Sequence, residues 1–115
     1  MEFKPTDIPQ FISELGAGVV EEKLAYILSD VARSVLANQK MGEVSLSLKI
    51  KQVGSTDQVN VEHKIAYKKP KQRGAITEDD VQDTILYCNE GFNLTQFPEN
   101  QTDMFNTNEE YKNVD

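Results

Sequence analysis

Val44-Ser45-Leu46-Ser47-Leu48-Lys49-Ile50-Lys51 alternates strictly between apolar and polar residues. Gly54-Ser55-Thr56-Asp57 follows, and then Val59-Asn60-Val61-Glu62-His63-Lys64-Ile65-Ala66-Tyr67-Lys68 alternates again. Two period-2 runs around a polar turn predict a β-hairpin with one apolar face and one polar face. Val44, Leu46, Leu48, Ile50, Val59, Val61, His63, Ile65 and Tyr67 fall on the apolar side. Something must cover that side, and the residues upstream supply it.

Apolar residues recur at helical spacing from Phe11 and Ile12 through Leu15, Val19, Leu24, Ile27, Leu28, Val31, Val35 and Leu36, opposite a wet face of Glu21, Glu22, Asp30 and Arg33. Asp7 followed by Gln10 predicts the helix start, with Pro9 tolerated in the first turn, and Gly42 predicts the stop. An unbroken helix over 8–40 would run roughly 50 Å at about 1.5 Å per residue, longer than a domain of this size is wide. Either Gly16-Ala17-Gly18 breaks it, or it protrudes into a homodimer. Two glycines within three residues cost about 2 kcal/mol of helix propensity, which favours the break.

Downstream of the hairpin, Lys68 to Arg73 reads as an exposed basic loop, and Thr77-Glu78-Asp79-Asp80 as the cap of a short helical turn. Ile85-Leu86-Tyr87-Cys88 and the segment Phe92, Leu94, Phe97 read as short strands. After Pro98 the composition turns to Asn, Gln, Asp, Glu and Thr, which predicts disorder. The expectation is one α+β domain over residues 1–98, an N-terminal helix broken at Gly16–Gly18 on an antiparallel hairpin with one or two further short strands, and a disordered acidic tail over 99–115.

The 115 residues carry 12 basic and 19 acidic groups, net −7, unevenly spread. Residues 1–41 are net −2, residues 42–73 net +4 and residues 74–115 net −9, a cationic island in an acidic chain. One cysteine, Cys88, forbids an intramolecular disulfide, and with the single histidine, His63, it leaves zinc chemistry dependent on carboxylates. No apolar run nears 18 residues, and Met1 to Gln10 does not read as a signal peptide, so a soluble cytoplasmic protein with no membrane partner is expected.

Catalytic signals are lacking: there is no Gly-rich phosphate loop, no paired histidines and no triad. Glu21-Glu22, Asp79-Asp80 and Glu109-Glu110 are adjacent pairs that read as solvated surface, and His63 reads as a core histidine satisfied by a backbone carbonyl. No enzyme activity and no cofactor are expected. Two interaction signals stand out. Lys49, Lys51, Lys64 and Lys68 share the outward hairpin face, which Lys69, Lys71 and Arg73 extend. Such a ribbon suits a phosphate backbone, each contact releasing a counterion, although the same lysines would also solvate a sheet face or receive the acidic tail. In the tail, Gln101, Asp103, Met104 and Phe105 resemble the short peptide by which bacterial replication and repair proteins dock on the β sliding clamp, and Thr102 departs from the leucine common there.

Phe11-Ile12-Ser13-Glu14-Leu15, Leu28-Ser29-Asp30-Val31-Ala32, Lys51-Gln52-Val53-Gly54, His63-Lys64 and Leu94-Thr95-Gln96-Phe97-Pro98-Glu99, among other stretches, resemble small proteins of tailed phages and prophages. Genes for such proteins often lie near those for recombination or single-strand binding. The resemblance implies an accessory factor of the bacterial host cytoplasm and carries over no active site. The expected function is binding of nucleic acid or of the replication and recombination machinery. The alternative is an acidic inhibitor that imitates DNA to occupy a host defence or DNA-processing protein.

Overall fold

The computed structural model describes residues 2–99. Asp7 caps helix α1 (Ile8–Glu14), its Oδ1 accepting from the Gln10 amide at 3.2 Å, with Pro9 in the first turn. The predicted break is a kink over Leu15–Gly18, in which Gly16, Ala17 and Gly18 all take positive φ. Three consecutive left-handed residues end α1 and re-aim the chain, and two of them are the glycines that reach this region at least cost. Helix α2 (Val19–Asn38) follows, with Glu21 and Glu22 in its first turn. It stops at Asn38, where Gln39 turns left-handed and its amide donates to the Val35 carbonyl.

Gly42 therefore does not cap the helix as predicted. It lets the chain pass close beneath it: a Cβ there would lie 2.6 Å from Val31 Cγ1 and 3.0 Å from Val35 Cγ2.

Strands β1 (Glu43–Gln52), β2 (Gln58–Pro70), β3 (Ala75–Cys88) and β4 (Leu94–Thr95) form one antiparallel sheet in the order β1-β2-β3-β4. The hairpin register pairs Leu46 with Ile65 and Leu48 with His63, so the predicted apolar positions share the face under the helices. Phe11, Leu15, Val20, Val61, Ile65 and Leu86 make the core, flanked by Ile12, Leu24, Ile27, Leu46, Val59 and Leu94. The architecture is a helix layer on one face of a four-stranded meander, an α+β fold.

Two local expectations are overturned. Thr77-Glu78-Asp79-Asp80 does not cap a helical turn; it lies within β3, a strand of 14 residues paired with β2 from Pro70–Ala75 to Gln58–Tyr87. Thirteen residues of ladder outweigh the local preference of an acidic run for a helix start. Likewise β2 continues to Pro70, so Lys69 belongs to a strand and not to a loop.

The polypeptide ends of the described region are tied together. The Lys4 amide donates to the Gly91 carbonyl at 2.9 Å, the Leu94 amide to Thr6 Oγ1 at 3.1 Å, and Glu99 contacts Lys4 and Asn93. Among the described residues no helix is long and apolar enough to cross a membrane.

Candidate nucleic-acid interface

Alternation from the observed registers assigns every residue of the outer sheet face. Across β1, β2 and β3 the rows are Glu43-Lys68-Thr77, Ser45-Ala66-Asp79, Ser47-Lys64-Val81, Lys49-Glu62-Asp83 and Lys51-Asn60-Ile85. Lys49, Lys51, Lys64 and Lys68 thus share this face, as the sequence pattern predicts. The rows of Lys51 and Lys68 are eight residues apart along β1, roughly 26 Å at about 3.3 Å per residue.

The face is not purely basic. It holds four carboxylates, Glu43, Glu62, Asp79 and Asp83, against four lysines. Lys49 lies 3.9 Å from Glu62 and Lys64 lies 3.8 Å from Asp79, both exposed pairs worth little individually. The balance nonetheless differs between strands: β1 and β2 carry all four lysines together with Glu43 and Glu62, while the charged residues that β3 adds to this face, Asp79 and Asp83, are both acidic. Sequence reasoning missed these two aspartates because it did not read 75–88 as a strand; their i, i+4 spacing would have placed both outward. Tyr87 also falls on this face, opposite Gln58, and is the only aromatic residue of its paired rows among the described residues. A shallow depression of about 330 Å³, lined in part by Glu43, Ser45, Lys64, Lys68, Thr77 and Asp79, opens at the Lys68 end.

Lys71 and Arg73 stand exposed in the β2–β3 turn at that same end. Lys40, just beyond α2, holds the turn by donating to the Lys71 and Gln72 carbonyls, each at 2.9 Å. Lys69 is the exception among the predicted basic residues. Strand alternation carries it to the helix side, where its Nζ meets Asp30 Oδ2 at 2.8 Å, so it does not extend the outer patch. This contact, with Arg33 beside it, holds the Asp30 carboxyl below the usual carboxylate range.

The helix side of β3 is lined by polar groups that the sequence did not reveal. Lys23 of α2 pairs with Asp80, and the Tyr67 hydroxyl donates to Glu78, an interaction that pushes the phenol up to about 12. His63 is 2% exposed, and its Nε2 lies 2.9 Å from Thr84 Oγ1, which also accepts from the Gly16 amide at 2.8 Å. The buried histidine is satisfied by a hydroxyl and not by the carbonyl expected. Burial pushes its pKa below the ordinary 6.5, against the opposing pull of Asp83 and Asp80. Its one titratable ring is committed to joining β2, β3 and the helix break. Cys88 is half-buried. Among the described residues no group of three or more His, Cys, Asp or Glu is arranged to hold a metal. The tail peptide Gln101, Asp103, Met104 and Phe105, and the rest of the predicted tail from residue 100 on, lie outside the described residues.

These features define a class: a small helix-on-sheet protein with a committed polar interior and a two-tone charged outer sheet face. The chain belongs to the YfdP family, whose pattern matches residues 7–94. It is 39% identical over 98 residues to the uncharacterized protein YfdP of Escherichia coli, a match covering 85% of this chain and 81% of that relative. No solved structure matches.

Proposed function

We propose that this chain is a non-enzymatic accessory protein of phage or prophage type that binds nucleic acid through the β1–β2 half of its outer face. The observation that carries this reading is the uneven balance of charge across the strands. Lys49, Lys51, Lys64 and Lys68, with Glu43 and Glu62 among them, lie on the two strands nearest one sheet edge, Lys71 and Arg73 stand exposed in the turn at the Lys68 end, and Asp79 and Asp83 lie on β3. A row of lysines spanning roughly 26 Å follows a phosphate backbone, and the aspartates alongside repel it from β3, which fixes its path. With Tyr87 the only aromatic ring in the face's paired rows among the described residues, contacts go to phosphates and the binding is sequence-tolerant.

Fluorescence anisotropy with labelled single-stranded and duplex DNA at low salt tests this. Replacing Lys49, Lys51, Lys64 and Lys68 together by glutamine should abolish binding with the thermal transition retained. Asp79→Asn with Asp83→Asn should strengthen it several-fold. Affinity unaffected by the lysine changes would refute the assignment.

A further inference from the structure

β1 is an edge strand ten residues long, without proline, and its outer edge pairs with nothing among the described residues. Such an edge is a template for another strand. The helix layer also stops short of it. On the face beneath the helices, Leu48 is 39% and Ile50 57% exposed, and Leu28, on the flank of α2 that carries Val31 and Val35 toward Gly42, is 52% exposed. An unpaired edge and uncovered apolar side chains coincide along one border of the molecule.

We propose that this border is the interface of a symmetric homodimer in which β1 pairs antiparallel with β1 of a second copy, making one eight-stranded sheet. The strand is complementary to itself in one register. A two-fold axis at Ser47 sets Glu43 against Lys51, Ser45 against Lys49, Val44 against Ile50 and Leu46 against Leu48, each pair occurring twice. The polar pairs lie on the outer face and the apolar pairs on the helix side, as the alternation requires. Lys51 makes no ion pair within the described residues, so Glu43 of the second copy supplies its counter-charge.

Neighbouring registers fit less well. Centring on Leu48 leaves Glu43 beyond the paired residues. Centring on Leu46 shortens the ladder to seven residues and sets Glu43 against Lys49, which already faces Glu62. The Ser47 register uses nine of the ten residues. It also brings the cationic halves of the two outer faces together, with the β3 aspartates on the two far flanks; the dimer itself does not depend on any ligand.

Two measurements on the full chain test the proposal. Sedimentation equilibrium should give about twice the 13.0 kDa chain mass. Ile50→Lys, which places charge on the helix-side apolar border, should return it to one chain mass. Glu43→Lys or Lys51→Glu should each weaken association at least fivefold, and the two together should restore it. The second measurement reads the register. With Cys88 replaced by alanine, Ser47→Cys should oxidise to a covalent dimer, because directly opposed strand residues hold Cα atoms about 4.5–5.5 Å apart, within disulfide reach. Ser45→Cys, offset from its own copy by four residues, should not. A monomeric native chain would overturn the dimer and hand the edge to another occupant, such as residues 100–115. A dimer insensitive to these changes, or cross-linking equally at Ser45, would overturn the interface.

Discussion

Thr84→Val removes one hydroxyl and tests how the helix break is fastened to the sheet. Thr84 Oγ1 accepts from the Gly16 amide at 2.8 Å and contacts His63 Nε2 at 2.9 Å, a contact that serves either tautomer of the neutral ring. Valine nearly preserves the volume, so the loss is that of two polar partners. His63 is buried and cannot turn to water, which puts its orphaned nitrogen within the range of about 1–3 kcal/mol; half-buried Gly16 belongs near the lower end, about 1 kcal/mol. The expected loss is about 2–4 kcal/mol. In urea unfolding at neutral pH, with a slope of about 1.5 kcal/mol per M for a domain of this size, the midpoint should fall by roughly 1.3–2.7 M. Thr84→Ser keeps the hydroxyl and sheds a methyl group, so it should lose about 1 kcal/mol or less. Valine and serine variants of equal stability would refute the role of this hydroxyl.

The same histidine gives the fold a pH dependence. Because burial lowers its folded pKa below 6.5, the unfolded chain binds the proton more readily, so stability is complete above pH 6.5 and declines as pH falls below it; urea midpoints between pH 7.5 and 5.5 should show the decline, and His63→Gln should flatten it. Asp30, held low by Lys69, contributes stability that persists above its ordinary 3.8 and is lost only as pH falls further, so Asp30→Asn should change the steepness of acid unfolding below pH 4 and leave the His63 step alone. Tyr67 should titrate near 12 by phenolate absorbance, and Glu78→Gln should bring it back toward 10. Gly42→Ala should destabilise by about 1–3 kcal/mol in thermal unfolding, since its Cβ would meet Val31 Cγ1 at 2.6 Å.

Much of this fold is legible because one physical signal dominates each element. The hairpin is written in the alternation from Val44 to Tyr67, which needs no tertiary information, and the helix break in Gly16-Ala17-Gly18, where left-handed backbone is cheapest. β3 is illegible for the opposite reason. Its apolar residues split between faces, Ile76 and Leu86 beneath the helices and Val81 and Ile85 outside, so no period-2 stripe survives. The acidic run Glu78-Asp79-Asp80 adds a misleading helix-start signal. Only the ladder with β2 decides it, and that ladder also sends Lys69 inward to Asp30. The four hairpin lysines were placed correctly, but the aspartates that temper them became visible only with β3. Leu28 and Leu36, read as part of the buried helical stripe, stand largely exposed, since the side of α2 that meets the core is the one carrying Val20, Leu24 and Ile27.

Whether the proposed lysine face contacts phosphates is read from the salt dependence of binding. Titrating labelled single-stranded DNA into the native chain across a series of salt concentrations should give a straight log–log plot. Each neutralised phosphate contributes a slope of about −0.7, so four lysines predict a slope of about −3, which becomes shallower as each is changed to glutamine. Absence of binding at low salt, or binding whose affinity does not change with salt, would contradict the proposed contact.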